Sequence, residues 1–185
     1  NALEGLGFIE PTPIQRAAFS VICSGKDVVG IAQTGTGKTL AYSLPLVRNL
    51  TYSTQENPRI LILVPTRELV VQVVDSLNEL NAYTNNRVLG VYGGANINTQ
   101  KQAIAQGQDI IVATPGRLYD LGVSNVLKLK TIQKLVIDEV DVMLDLGFRF
   151  QLLNIFDLLP VRRQNIMFSA TMTKDVDALI LDFFK

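Results

Sequence analysis

Apolar residues along this chain fall into short dense runs separated by longer, more open stretches. Runs rich in Val and Ile at Asp27 to Ala32, Arg59 to Val64, Val88 to Tyr92, Asp109 to Ala113, Lys134 to Asp138 and Asn165 to Ser169 predict strands. Segments such as Arg67 to Ala82 and Gly147 to Leu159 carry the spacing of helices, so strand and helix alternate throughout. Strands that are apolar on nearly every residue are buried on both faces. The predicted fold class is therefore α/β, a mainly parallel β-sheet flanked by helices on both faces, in a single domain over residues 1–185. The stretch Thr51 to Pro58, rich in Thr, Ser, Gln and Asn, reads as a solvated connection, and no internal repeat or low-complexity tract interrupts the pattern.

The first predicted strand runs into "AQTGTGKT", Ala32 to Thr39, which opens a predicted helix from about Gly37 at the carboxyl edge of the sheet. Glycines there let successive backbone N–H groups converge, the helix N-terminus adds partial positive charge, and Lys38 adds a full one. Thr34, Gly35, Thr36 and Gly37 complete a phosphate cradle, and the Thr39 hydroxyl is placed to ligate Mg²⁺ held by a nucleotide's phosphates. The pattern is that of a P-loop, G-x-x-x-x-G-K-[ST], with Ala32 in place of the first glycine; a glycine-rich turn with an incidental lysine is the alternative.

A second acidic element, Asp138 and Glu139 followed by Val140 and Asp141, ends the run Lys134 to Ile137. A carboxylate at a strand end needs an ionic partner, and Mg²⁺ near Thr39 would provide one for Asp138. Glu139 would then orient or deprotonate a water attacking the γ-phosphate. A solvated acidic cap on the next helix is the competing reading.

Composition narrows the chemistry. Lys+Arg and Asp+Glu are 17 each, so any nucleic-acid binding must come from local placement. There is no histidine and one cysteine, which excludes disulfide frameworks, histidine-ligated metals and Ser-His or Cys-His nucleophiles. Cys23, in an apolar helical stretch, is expected to be a buried thiol with no chemistry. No apolar run approaches the roughly 20 residues of a membrane span, and a soluble, intracellular, cytoplasmic protein is expected. A start without Met at Asn1 and an end at Lys185 in a helix-like pattern suggest a piece of a longer protein.

With these motifs in place, from Gly7 to Thr171, the chain resembles the first RecA-like domain of a DEAD-box ATP-dependent RNA helicase over essentially its whole length. "GFIEPTPIQ", Gly7 to Gln15, is similar to that family's Q motif, and the resemblance implies ATP binding through Thr12, Gln15 on the adenine edge and Phe8 packed on the base. Bidentate pairing of an amide with adenine is chemically apt. The family's P-loop itself reads A-x-T-G-x-G-K-T, so Ala32 fits it.

"PTRELVVQ" from Pro65, the pair Gly93 and Gly94, and "TPGRLYDL" from Thr114 resemble the family's RNA-contacting motifs, each just after a predicted strand. The resemblance implies sequence-independent contacts to the RNA backbone from Pro65, Thr66, Arg67, Glu68, Gly93, Gly94, Thr114, Pro115, Gly116 and Arg117. Either arginine alone would more readily make an internal pair. "FSAT", Phe168 to Thr171, resembles the motif that couples hydrolysis to strand separation, with Ser169 and Thr171 bonded to Asp141; a plain helix cap is the alternative.

The departure is Val140, where the family has Ala. Its extra methyls are expected to affect turnover through Glu139 rather than nucleotide binding. The implied partner is a second RecA-like domain of the same chain, which would supply arginines to the γ-phosphate, so this piece alone is expected to bind ATP weakly and hydrolyse it poorly. The expected function is RNA-stimulated ATP hydrolysis coupled to local unwinding, with ATP and Mg²⁺ as cofactors. An ATP-gated RNA clamp with little turnover is the second reading. Another P-loop enzyme, a kinase or DNA translocase, fits less well because "PTPIQ" and "TPGR" would have no role in it.

Overall fold

The computed structural model describes residues 2–184; the termini Asn1 and Lys185, which suggested a longer parent, lie outside the described residues. In chain order the elements are α1 (Ala2–Gly5), α2 (Pro13–Cys23), β1 (Val28–Ile31), α3 (Lys38–Asn49), β2 (Ile60–Leu63), α4 (Arg67–Leu80), β3 (Val88–Val91), α5 (Ile97–Ala105), β4 (Ile110–Ala113), α6 (Pro115–Val123), β5 (Lys134–Ile137), α7 (Val140–Asp145), α8 (Arg149–Leu158), β6 (Gln164–Ser169) and α9 (Lys174–Phe183). The strands form one six-stranded sheet in the order β1-β6-β5-β2-β4-β3. Every pairing is parallel.

Alternation within each strand assigns the two cores. Ile60, Ile62, Ile110, Val112, Val136, Ile166 and Phe168 face α2, α3 and α4, joined by Ile22, Tyr42, Leu46, Val73 and Leu77. Leu61, Leu63, Ile111, Leu135, Ile137 and Met167 point the other way, toward Leu118, Met143, Leu152, Ile155 and Leu179 on α6 to α9. A two-sided sheet explains why the central strands read as unbroken apolar runs.

The strand ends differ from the sequence expectation in a consistent way. Asp27, Arg59 and Asp109 fall just outside β1, β2 and β4, because their side chains serve the sheet's amino-terminal edge rather than its ladder. Asp109, 3% exposed, accepts from Arg59 Nη2 at 3.1 Å and from Arg87 Nε at 3.0 Å. The helix expected over Gly147 to Leu159 begins later, at Arg149. Gly147 takes φ 83° and closes α7, with its N–H bonded to Leu144 O at 2.9 Å and Phe148 N–H to Met143 O at 3.0 Å, a Schellman pair. Cys23 is half-buried at the end of α2 rather than fully buried.

Gly30 in β1 lies against the Phe168 ring, and a Cβ built there would sit inside the ring's van der Waals envelope. Gly30→Ala is expected to lower stability by about 1–3 kcal/mol through overpacking, read as a lower urea midpoint at unchanged m-value. A midpoint unchanged within error would mean that Phe168 moves aside freely.

Candidate active site

Because all six strands run the same way, every loop that follows a strand opens on one edge. The strand order then sorts those loops. The glycine-rich loop follows β1, Asp138 and Glu139 follow β5, and Ala170 and Thr171 follow β6, which ends on Ser169, on adjacent strands in the half-sheet β1-β6-β5. Thr66, Gly93 and Thr114 follow β2, β3 and β4 in the other half.

In the first half, Gly35 and Gly37 both take φ 82°, a left-handed conformation that leaves the loop amides free to converge. Gly37 is the N-cap of α3, so Lys38 and Thr39 begin the helix. Residues from the amino-terminal segment hold this loop. The Thr12 hydroxyl donates to Thr36 O at 2.9 Å, and Gln15 Nε2 donates to Gly37 O at 3.2 Å while its Oε1 accepts from Thr12 N–H at 2.9 Å. Gln15 is thus a strut beneath the loop; its amide retains one N–H and one lone pair for a ligand. Phe8, Ile9 and Phe19 join Gln15, Leu40 and Leu44 around an apolar cavity of about 400 Å³. Phe8 is 48% exposed at this cavity.

A second cavity, about 410 Å³, is lined by Thr34, Gly37, Lys38, Thr39, Asp138 and Glu139. Lys38 is 6% exposed, its Nζ lies 3.9 Å from Asp138 Oδ1, and it makes no hydrogen bond. Asp138 Oδ1 accepts from Glu139 N–H at 2.8 Å. Burial pushes the Asp138 carboxyl up to about 6, against the opposing pull of the Lys38 charge. A buried ammonium with no hydrogen-bond acceptor in the protein, beside a buried carboxylate, is chemistry that a phosphate anion and a hard cation would complement. The donor set of Thr39 hydroxyl and Asp138 carboxylate is hard oxygen, which fits Mg²⁺ held jointly with phosphates. Glu139 caps α7 at φ 55°, ψ 50°, an uncommon backbone for a side-chain-bearing residue, and is half-buried at the cavity wall.

Tyr42, one turn along α3 from Lys38 and Thr39, was not singled out by sequence. It is fully buried, its ring packs on Phe168 at 5.7 Å between centroids, and its hydroxyl completes no hydrogen bond. Burial first, then the Asp138 carboxylate, hold the phenol well above its ordinary value, so it stays protonated. The signal in the sequence was a polar tip at i+3 from Thr39 inside the apolar run "LAYSLPLV".

Asp141 sits in the first turn of α7 and accepts from Thr171 N–H at 3.1 Å and from the Thr171 hydroxyl at 2.9 Å. Burial pulls its carboxyl upward, but bonds from Thr171 and the Val142 amide outweigh that and hold it below the ordinary range. The Ser169 hydroxyl donates to Thr171 O at 2.8 Å, so it shapes the loop that Asp141 grips. Ala32 N–H on the glycine-rich loop bonds to Ser169 O at 3.0 Å. Val140 is fully buried in the apolar cluster beneath α7.

In the other half, Thr66 caps α4 by accepting Leu69 N–H at 3.3 Å, and Arg67 and Glu68 are exposed beside buried Pro65. The Arg67 guanidinium lies over the Tyr92 ring, 5.1 Å from its centroid. Gly93 and Gly94 are exposed, the latter at φ 80°. Thr114 is the N-cap of α6, with Pro115 at its first position and Gly116 half-buried. Arg117 differs from Arg67. Its guanidinium donates to Gln100 Oε1 at 2.9 Å and to Ala95 O at 3.2 Å, tying α6 to the loop after Gly94. Tyr92 and Gln100, the residues that orient these arginines, carried no sequence signal because their partners lie far away in the chain.

Among the described residues, no helix is long and apolar enough to cross a membrane. The family model of the DEAD/DEAH box helicases matches residues 12–179. A pre-mRNA-processing ATP-dependent RNA helicase, prp-5, from Neurospora crassa is 44% identical over 97% of this chain and 16% of its own length. The ATP-dependent RNA helicase DeaD from Buchnera aphidicola is 41% identical over 100% of this chain and 31% of its own. Among solved structures, a DEAD box protein from the hyperthermophile Methanococcus jannaschii superposes with a TM-score of 0.93 at 32% identity, over 98% of this chain and 49% of that one. The chain therefore spans under a third of these curated relatives and about half of the solved chain.

Proposed function

The chain belongs to the DEAD/DEAH box helicase family, and from that premise we propose that it is the nucleotide-binding RecA-like domain of an RNA-stimulated ATP hydrolase that locally unwinds RNA. The observation that carries this reading is the buried Lys38 ammonium, which lacks acceptors and faces a glycine-rich amide cradle beside Asp138. Phosphate oxygens are the natural acceptors for it.

In this reading the γ-phosphate lies against Lys38 and the loop amides, with Phe8 and Gln15 at the adenine end. Thr39 and Asp138 would hold Mg²⁺, which would supply positive charge against the phosphate oxygens. Glu139 takes the proton of the attacking water. The Asp141–Thr171 bonds report the state of this pocket to the edge of the sheet. Arg67, Gly93, Gly94, Thr114 and Gly116 line the RNA backbone path on the other half-sheet, where N-capped helix ends and an exposed guanidinium suit phosphodiesters. Arg117 belongs to this path as a support of its loops, and Glu68 lies exposed beside Arg67 on it. A second RecA-like domain completes both sites, and the intact protein works in the cell interior.

The test is steady-state ATP hydrolysis by the intact protein without nucleic acid, with single-stranded RNA and with single-stranded DNA. Stimulation by RNA well above that by DNA is the expected result. Equal stimulation by DNA would remove the RNA assignment, and binding of both ligands without turnover would make the protein a clamp.

A further inference from the structure

We propose that the edge of the sheet opposite the nucleotide loops is a second surface for the phosphodiester backbone of RNA, built from Lys26, Lys128, Lys130, Lys134, Arg162 and Arg163. It lies outside the motor site and rests on the proposed function only for the identity of the strand. Residues that precede the strands lie on this amino-terminal edge, where β1, β6 and β5 are neighbours. Lys26 precedes β1, Lys128 and Lys130 precede β5, Lys134 opens it, and Arg162 and Arg163 precede β6. Hydrogen bonds draw the segments 24–27, 128–134 and 157–164 into one surface. Gln164 accepts from Lys134 Nζ at 2.6 Å and donates to Lys26 O at 2.7 Å, while Lys130 Nζ donates to Leu159 O at 3.1 Å and Arg163 Nη1 to Pro160 O at 2.7 Å.

The protein does not balance this charge. Among the described residues none of the six cations forms an ion pair, and the carboxylates of these segments are Asp27 and Asp157. Asp27 is committed to Asn165, accepting its N–H at 2.6 Å and its side-chain amide at 3.1 Å. Elsewhere on the same edge a structural arginine pair has its own carboxylate, since Arg59 and Arg87 share Asp109. Lys130, Lys134 and Arg163 are instead held by carbonyl and amide oxygens, which fix their positions and leave both the positive charge and spare N–H groups for a ligand. Lys26, Lys128, Lys130 and Arg162 are exposed. Val161 is the one exposed large apolar side chain of these segments, and the cavities of about 350 to 410 Å³ are lined by other residues. A docked peptide needs apolar anchors in pockets, whereas an RNA backbone is held by charge. The surface therefore suits RNA better than an acidic protein segment.

The experiment is the triple variant Lys26→Gln, Lys128→Gln, Arg162→Gln in the intact protein, which removes three exposed charges and none of the side-chain bonds above. Binding of a labelled polyuridine strand of about 30 nucleotides is measured across a salt series, beside ATP hydrolysis stimulated by a strand of about 8 nucleotides. Loss of three phosphate contacts is expected to flatten the slope of log affinity against log salt by about 2, and to weaken the long strand about 10- to 100-fold near 0.1 M salt. Hydrolysis at saturating short RNA is expected to stay within twofold. The thermal midpoint should hold or rise, because like charges have been removed. An unchanged slope and affinity for the long strand would overturn the proposal. So would a lowered thermal midpoint with equal losses for both strands, since that pattern belongs to damaged folding. Weaker binding of a polyglutamate peptide with RNA binding intact would assign the surface to an acidic protein segment instead. If short RNA fails to stimulate hydrolysis by the wild type, the motor reading falls, and a long-strand slope that still flattens in the variant would uphold this surface by itself.

Discussion

Glu139→Gln in the intact protein is expected to reduce RNA-stimulated ATP hydrolysis by about 10²–10⁴-fold, the range for removing a general base, while ATP and RNA binding persist. The substitution keeps size and hydrogen-bonding reach but cannot accept a proton. Glu139 lies at the wall of the cavity lined by Lys38 and Thr39, and it caps α7 with a left-handed backbone. Its amide also fixes Asp138, and that bond is untouched by a side-chain change. The measurement is kcat with and without RNA, beside equilibrium binding of both ligands. A fall in kcat of less than about tenfold would mean that water is activated by another group.

The largest stability effect is expected at the opposite edge of the sheet. Asp109→Ala removes the acceptor shared by Arg59, which is 7% exposed, and Arg87, and leaves a buried guanidinium without a counter-charge. Losing one partner of a buried pair costs about 3–5 kcal/mol. At about 2–4 °C per kcal/mol for a domain of this size, that is a drop of roughly 6–20 °C in Tm. Asp109 also accepts the Arg87 backbone N–H at 2.9 Å, so β2, β3 and β4 all lose an anchor together. Asp109→Asn keeps an acceptor and should lose less. A loss under about 1 kcal/mol for the Ala variant would mean that water reaches Arg59.

The same group sets an acid limit. Burial tends to raise the Asp109 carboxyl, but bonds from Arg87 and Arg59 outweigh it and hold it below its ordinary 3.8. A depressed carboxyl contributes fully above the unfolded value, so this stabilisation is intact above about pH 4 and is lost as pH falls through the lower folded value. In Asp109→Asn the acid limb of the stability curve should flatten over that window. A limb identical to wild type would place acid sensitivity elsewhere.

The residues Ala32 to Thr39, Asp138 and Glu139 were legible in the sequence because local chemistry alone explains them: glycines, a lysine and carboxylates at strand ends have few other uses. The alternation of apolar runs fixed strand positions to within a residue or so, and unbroken runs dictated burial on both faces. Period and composition are properties of neighbouring residues, which is why a single chain can display them.

Strand order is not such a property. Nothing local says that β1 lies beside β6 and β6 beside β5, yet that order places the glycine-rich loop, Asp138 and Ser169 on one half-sheet and the loops of Thr66, Gly93 and Thr114 on the other. Only the tertiary structure decided that Arg117 turns inward to Ala95 and Gln100 while Arg67 stays exposed over Tyr92, and that the Lys38 ammonium lies 3.9 Å from Asp138, far along the chain. These outcomes depend on which distant groups compete for each donor once water is excluded, and that competition exists only after the sheet has closed.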